Sequence, residues 1–368
     1  MALTNKAAVL ITKASPLVVQ SVKYTTAGEN EMVVKNGAVA VNPYDWIIQE
    51  AQNFVVPWVK LPFILGTDVA GEIVEVGKGV TRFKVGDRVV AHATGLNKPI
   101  NLISQGGFQE YTVLRDDMTS PIPGFISYEA ACVMPLGLST AACALFQKDY
   151  LALPFPTTLP TLSGKTLLIW GGATSVGCNA IQLARAAGCE VITTASPKNN
   201  AYLKQLGAAE VFDYRSPTVV RDIIAAFKNR QAAGAISIGT GSIKACIEVL
   251  GACQGTKFVA QCSLDFPPFP KGVFGFPPFL FGVATEVISG TVRSRMKGVS
   301  TKFVNGGDLV GKEVGKAIYE DFLPKALDAR TFVPAPDPHV VGKGLEWVQE
   351  AMDINKKGVS AKKIVVTL

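Results

Sequence analysis

The chain has 368 residues, 48% hydrophobic and 18% charged, with 36 Lys and Arg against 29 Asp and Glu for a formal net charge of +7. That much apolar material excludes a disordered polymer and suffices for two hydrophobic cores. The basic residues are scattered, without a run interleaved with aromatics, so nucleic acid is not an expected partner and the charge serves solubility.

Met1–Val9 lacks the apolar core of a secretory signal, and no uninterrupted apolar run reaches the ~18 residues needed to cross a bilayer. The expectation is a cytoplasmic protein with no membrane partner. Its seven cysteines are odd in number, form no CxxC and lie mostly in apolar segments, which fits buried reduced thiols.

Taken in chain order, short strand-like runs come first: Ala7–Ile11, Met32–Asn42, Ala70–Val76, Arg88–Ala91 and Gly107–Thr112, separated by glycine-rich turns. Such spacing predicts a compact β-barrel or sandwich. From Tyr128 to Lys148 the pattern turns helical, and a proline-rich loop, Leu153–Pro160, closes that stretch.

Leu167–Trp170 then reads as a buried parallel strand, Gly171 and Gly172 as a sharp turn, and Cys178–Ala187 as a helix running to Gly188. Small residues in that turn let backbone N–H groups approach a pyrophosphate at a helix N-terminus, where unpaired donors and the helix dipole favour an anion. The glycine pattern is GxxTxxG across Gly171, Thr174 and Gly177 rather than GxGxxG. Its setting between an apolar strand and a helix, with a second strand at Val191–Ala195, points to a dinucleotide.

The end of the second strand selects among dinucleotides. An NAD site places a carboxylate there for the ribose hydroxyls, but Ser196, Pro197, Lys198 and Asn199 supply a hydroxyl, an ammonium and an amide. That set suits the 2′-phosphate of NADPH. The plainer alternative is a solvated turn ahead of the helix Ala201–Leu206.

Alternation continues through Val211–Phe212, Thr218–Lys228, Ala235–Ile238, Ile243–Leu250 and Phe258–Gln261, which predicts a doubly wound parallel sheet. Phe266–Gly282 sets phenylalanines between prolines and reads as a rigid apolar loop, either a wall for a long acyl chain or a packing plug. Amphipathic helices are predicted at Leu309–Leu327 and Gly342–Ile354, before a last strand at Lys363–Leu368.

Three motifs carry a family resemblance: VNPYDW at Val41–Trp46, LGTDVAGEIVEVG at Leu65–Gly77 with FKVGDRV at Phe83–Val89, and GGATSVG at Gly171–Gly177. In this order they resemble the medium-chain dehydrogenase/reductases over essentially the whole chain. The resemblance implies an α/β protein in which a GroES-like β-barrel catalytic domain embraces a doubly wound Rossmann domain, with substrate in the cleft between. The corresponding boundaries are 1–130 for the N-terminal part of the barrel, 131–305 for the Rossmann domain and 306–368 for the C-terminal return. PLGLSTAA at Pro135–Ala142, the SPKN turn, LGAAEVFDYR at Leu206–Arg215 and the closing GVSAKKIVV make it most similar to zinc-independent fungal trans-acting enoyl reductases of the lovastatin type, which work beside polyketide synthases.

A catalytic zinc needs three protein ligands and an open position. The family's GHE reads Gly66-Thr67-Asp68 here, Asp45 stands in the first-ligand region, Leu136 lies near the third, and Ala91–Gly107 contains no cysteine. His92 and His339 are the only histidines, and neither has a partner at ligand spacing. No metal is expected.

What the resemblance implies is an NADPH-dependent enoyl reductase passing hydride to the β-carbon of an α,β-unsaturated carbonyl or thioester. Ala173, Thr174, Ser175 and Val176 would hold the pyrophosphate, Ser196–Asn199 the 2′-phosphate, and Tyr214 the adenosine. Gln261 and Cys262 would close over the cofactor, with Ile364 and Val365 approaching from the returning strand. Tyr44, Asp45, Trp46 and Ile47 would contact it near the nicotinamide. Pro135, Leu136, Gly137, Leu138, Ser139, Thr140, Ala141 and Ala142 would face the acyl chain, and Ser289, Gly290, Thr291, Val292 and Arg293 would line the far pocket. Ser139 and Thr140 either donate to a thioester oxygen or bond to a preceding helical carbonyl. Tyr214 is otherwise an interfacial aromatic, and Asp45 otherwise a helix cap.

Two departures bear on mechanism. The lysine that relatives often carry two residues after the aspartate of NPxD is Ile47 here, and the tyrosine of mitochondrial-type enoyl reductases has no match near Asn53 and Phe54. The α-carbon proton then comes from solvent or from Tyr44. A polyketide synthase or its acyl carrier domain is the expected partner. Alternatives are a quinone or small-enone reductase, and a catalytically silent NADPH-binding accessory protein.

Overall fold

The computed structural model describes residues 4–263 and 276–368, apart from the side chains of Phe276 and Glu286. The chain divides by packing into two units, Met1–Ser139 with Gly307–Leu368, and Thr140–Gly306.

The first unit opens with β1 (Thr4–Leu10), β2 (Val18–Lys23) and β3 (Glu31–Ala40), followed by α1 (Pro43–Val55). Pro43 begins that helix, where a missing N–H costs nothing because the first turn has no intrahelical acceptor for it. Next come β4 (Phe63–Ile64), β5 (Asp68–Val76), β6 (Arg88–His92), β7 (Tyr111–Arg115) and β8 (Thr119–Pro121). Two helices end this stretch, α2 (Tyr128–Ala131) and α3 (Pro135–Phe146). Tyr128–Phe146 is apolar and long enough to resemble a membrane span, but it is 83% buried within the protein, as a core helix is.

The second unit alternates as expected: β9 (Lys165–Trp170), α4 (Ser175–Ala186), β10 (Glu190–Ala195), α5 (Asn200–Leu206), β11 (Glu210–Asp213), α6 (Val219–Ala226), β12 (Gln231–Ser237) and α7 (Ser242–Ala252). It closes with β13 (Gln254–Gly255), β14 (Phe258–Gln261), α8 (Phe276–Lys297) and β15 (Ser300–Phe303). The sheet runs β11-β10-β9-β12-β14-β15 with all pairings parallel, so the order reverses between β9 and β12. Its core gathers Leu168, Ile192, Ala235, Ile247, Leu250 and Val259.

The chain then returns to the first unit through α9 (Glu313–Lys316), a π-helical turn (Ala317–Phe322), α10 (Leu323–Asp328), β16 (Asp337–Lys343), α11 (Val348–Lys357) and β17 (Lys362–Thr367). There β17 lies between β16 and β3 in the order β16-β17-β3-β5-β6-β8, with β7 also on β3. A three-stranded sheet, β2-β1-β4, completes the unit, whose core includes Val9, Leu10, Ile48, Leu65, Val69, Ile73 and Val366.

Three expectations are corrected. Gly342 and Lys343 belong to β16 rather than to a helix, because pairing with β17 carries the strand to Lys343 and Gly344, at φ +100°, turns the chain before α11. The single helix expected over Leu309–Leu327 is broken into α9, the π turn and α10, with Gly311 left-handed at φ +67° ahead of α9 and Pro324 in the first turn of α10. Of the loop expected at Phe266–Gly282, residues 276–282 form the start of α8, since prolines at 277 and 278 fall in a first turn, where no intrahelical N–H bond is lost. Residues 266–275 of that segment lie outside those described.

Candidate active site

In the second unit, the carboxyl ends of β9, β10, β11, β12 and β14 stand side by side. Register pairs Ser237 with Trp170 and with Gln261, and Ala195 with Asp213. This edge gathers the loop after β9, the Ser196–Asn199 turn, Tyr214, Gln261 and Cys262. Cys262 donates its backbone N–H to the Ser237 carbonyl at 2.9 Å.

The loop after β9 is tight for stated reasons. Gly171 is left-handed at φ +91°, and a Cβ there would sit 2.7 Å from the Ile238 carbonyl oxygen. At Gly177 a Cβ would fall 2.3 Å from the Gly171 carbonyl oxygen. Thr174 caps α4, its hydroxyl accepting from the Gly177 N–H at 3.0 Å. Ser175 and Val176 supply first-turn N–H groups, and Ala173–Val176 are half-exposed or exposed. A backbone drawn this close around the start of an exposed helix turn fits the pyrophosphate of a dinucleotide. Beyond β10, Pro197 and Lys198 are exposed, Ser196 is half-buried and Asn199 buried. Tyr214 is 47% exposed, with the Arg215 guanidinium 5.8 Å from its ring centroid.

Ser289–Arg293 lie on α8 and are held against α7, where Arg293 Nη1 meets Glu248 Oε1 at 2.7 Å. Ser289, Thr291 and Val292 are exposed.

In the first unit a buried polar network centres on Asp68. Its Oδ2 lies 2.8 Å from Lys363 Nζ and accepts from Asn42 Nδ2 at 2.8 Å. Its Oδ1 accepts from the Leu136 N–H at 2.6 Å, placing a carboxylate at the N-terminus of α3, where the helix dipole favours it. Lys363 also donates to Asn42 Oδ1, and Asn42 Nδ2 reaches Thr67 Oγ1 at 3.1 Å.

Asn42 is in turn the N-cap of α1: its N–H donates to Asp45 Oδ2 at 2.7 Å. Burial pushes the Asp45 carboxyl up to about 7, against the pull of the Asn42 N–H and the Lys363 ammonium and with Asp68 adding to the rise. Burial also drives the Tyr44 phenol up to about 12, helped by Asp45. Trp46 donates its indole N–H to Asn355 Oδ1 at 3.1 Å, and Ile47 is half-buried. Ile364 and Val365 are fully buried in β17, and the Ile364 carbonyl accepts from the Val41 N–H at 2.9 Å, so this strand and the start of α1 are brought together.

A second buried chain runs through α3. His92 Nδ1 lies 2.9 Å from Ser139 Oγ, Ser139 Oγ lies 2.8 Å from Tyr319 Oη, and Tyr319 donates to the Pro135 carbonyl at 3.2 Å. The Ser139 hydroxyl is thus taken by two side chains, neither a helical carbonyl nor an open position. Burial lowers His92 to about 4 despite Asp68, leaving a neutral ring. Leu138, Ala141 and Ala142 are fully buried, Thr140 is 8% exposed, Pro135 and Gly137 are buried, and Leu136 is half-buried.

Neither Lys363 nor Tyr319 stood out as a site residue in the sequence. For Lys363 the available signal was a charge within an otherwise apolar closing strand.

Residues 28–124 match the family described as alcohol dehydrogenase GroES-like domain, and 175–260 match the family described as zinc-binding dehydrogenase. Among the described residues no group of three or more His, Cys, Asp or Glu could hold a metal ion. Thr67, the Asp68–Lys363 pair and the His92–Ser139 contact occupy the region, and this donor set does not fit a catalytic zinc. The chain is 53% identical to dehydrogenase pigH of Monascus ruber, over 99% of this chain and 100% of that protein. It is 40% identical to trans-enoyl reductase himH of Aspergillus japonicus, over 92% of this chain and 90% of that protein. An alcohol dehydrogenase superfamily protein from Novosphingobium aromaticivorans shares the fold, with a TM-score of 0.74, 22% identity and 99% of each chain covered.

Proposed function

Because the chain belongs to the medium-chain dehydrogenase/reductase superfamily and is an oxidoreductase of that kind, we propose that it is an NADPH-dependent, metal-free enoyl reductase acting with a polyketide synthase. The observation that carries the reading is the carboxyl edge of the parallel sheet, where a close-drawn glycine loop precedes α4 and a turn with a hydroxyl, an ammonium and an amide follows β10. The trans-enoyl reductase himH supports the reaction class, and the synthase partner follows from that likeness.

A bound nicotinamide supplies hydride, which goes to the β-carbon of an enoyl thioester. The residues around it hold and orient. Ala173–Val176 would bind the pyrophosphate through backbone N–H groups and the α4 dipole, and Ser196, Lys198 and Asn199 would bind the 2′-phosphate. Gln261 and Cys262 would close over the coenzyme, and Tyr214 would pack on the adenosine. Trp46, Ile47, Ile364 and Val365 would shape the nicotinamide end. Pro135–Ala142 would face the acyl chain, and Ser289–Arg293 would line the far pocket.

The Thr140 hydroxyl would be the donor for the thioester oxygen as that oxygen gathers charge, while Ser139, its hydroxyl held by neutral His92 and by Tyr319, would fix the start of α3. Tyr44 stays protonated at working pH and gives its proton to the α-carbon. The products are a saturated thioester and oxidised coenzyme, and Tyr44 regains its proton from solvent.

NADPH oxidation followed with an enoyl thioester, a simple quinone, and NADH in place of NADPH tests the reading. Turnover with the thioester and NADPH is expected. Turnover with the quinone alone would identify a quinone reductase, and oxidation with neither acceptor would end the proposal.

A further inference from the structure

The 2′-phosphate turn after β10 has a neighbour that the sequence does not place beside it. In parallel register Asp213, the last residue of β11, stands opposite Ala195, the last residue of β10, and the turn begins at Ser196. Adjacent strands lie about 4.8 Å apart, so Asp213 stands beside the root of that turn. Asp213 is one strand further along than the position where an NAD site keeps its ribose carboxylate, but a bare negative charge beside the turn repels a phosphate there and tolerates a ribose hydroxyl.

Here it is neutralised. Arg215 Nε meets Asp213 Oδ1 at 3.1 Å, Arg215 Nη2 meets Oδ2 at 3.2 Å, and the Arg215 N–H donates to Oδ1 at 3.1 Å. Both carboxylate oxygens are engaged, and the guanidinium is pinned two residues from the strand end. A guanidinium has five donors, of which this fork uses two, so its outer edge keeps donors for an anion. The Arg215 side chain is 58% exposed and that of Asp213 31%, so the pair is open to a ligand. Lys198, in the adjoining turn, is exposed as well.

We infer that Arg215, held by Asp213, determines the preference for the phosphorylated coenzyme by masking the carboxylate and donating to the 2′-phosphate. This rests on the NADPH reading above and adds a residue to it. Two consequences separate it from a turn-stabilising ion pair. Removing Arg215 bares a carboxylate that favours an unphosphorylated ribose, and removing the carboxylate as well relieves the repulsion.

The test is calorimetric titration of the full chain with 2′,5′-ADP and with 5′-AMP, which requires no turnover. Wild type is expected to favour 2′,5′-ADP. Arg215→Ala is expected to weaken 2′,5′-ADP about tenfold while leaving 5′-AMP unchanged or tighter, and Asp213→Asn added to Arg215→Ala to recover part of that loss. Arg215→Lys, which keeps the charge without the fork, should fall between. Thermal midpoints of the unliganded variants report folding separately. If wild type prefers 2′,5′-ADP but Arg215→Ala keeps the ratio of the two affinities, Arg215 has no such role and the coenzyme reading stands. If wild type shows no preference, the NADPH reading and this inference fall together.

Discussion

Lys363 Nζ and Asp68 Oδ2 meet at 2.8 Å with side chains 4% and 0% exposed, so a closing strand and the strand after the Gly-Thr-Asp motif share a fully desolvated ion pair. Asp68 also accepts from the N-terminus of α3 and from the residue that caps α1. One carboxylate therefore ties together β5, β17 and the starts of two helices.

Lys363→Met strands that carboxylate. Loss of one partner of a buried pair costs about 3–5 kcal/mol, because the remaining charge is unpaired away from water. Urea denaturation should show this loss, and Asp68→Asn in the same chain should restore part of it. An unchanged denaturation midpoint in Lys363→Met would show that the pair is not desolvated.

Tyr44→Phe removes the proposed proton donor and keeps the ring. A general acid of this kind contributes about 10²–10⁴-fold, so kcat should fall by at least about a hundredfold with little change in KM for NADPH. Full turnover by this variant would assign the proton to solvent.

Gly177→Ala puts a methyl 2.3 Å from the Gly171 carbonyl oxygen. The loop must open, and NADPH affinity should drop by about tenfold or more, since close backbone approach is what the glycines supply. Calorimetry with NADPH reads this directly, and unchanged affinity would move the pyrophosphate elsewhere.

His92 is held at about 4 in the fold against an ordinary 6.5. A base whose folded value is depressed contributes stability that is complete above the unfolded value and is lost as pH falls from about 6.5 towards 4. Wild type should accordingly lose stability relative to His92→Phe across that window, read as a difference in thermal midpoint at matched ionic strength. A constant difference from pH 7 to pH 4 would mean that the ring titrates normally.

The parallel sheet was legible because its signals are local: an apolar strand, a glycine turn and a helix recur within a few residues, as at Leu167–Ala187. Asp213 beside Ala195 was not, because it depends on strand register, nor were Lys363 on Asp68 and Tyr319 on Ser139, which depend on packing between segments far apart in sequence. The misread stretch at Gly342 shows the converse: Gly342 and Lys343, read as the start of a helix, were claimed by the edge of β17. Ser139 was singled out for its hydroxyl, but what the hydroxyl bonds to was settled by a π turn that no periodicity announces.

β17 sits between β16 and β3, and Val365 pairs with Ala40 across nearly the whole length of the polypeptide. During synthesis, therefore, the uninterrupted stretch Thr140–Gly306 can consolidate as soon as it leaves the ribosome, while the first unit waits for its final strand, with Ala38–Ala40 of β3 unpaired on the edge that β7 leaves open. The order of maturation is inverted relative to the order of translation, and the interval before β17 arrives is when the nascent chain most needs a chaperone.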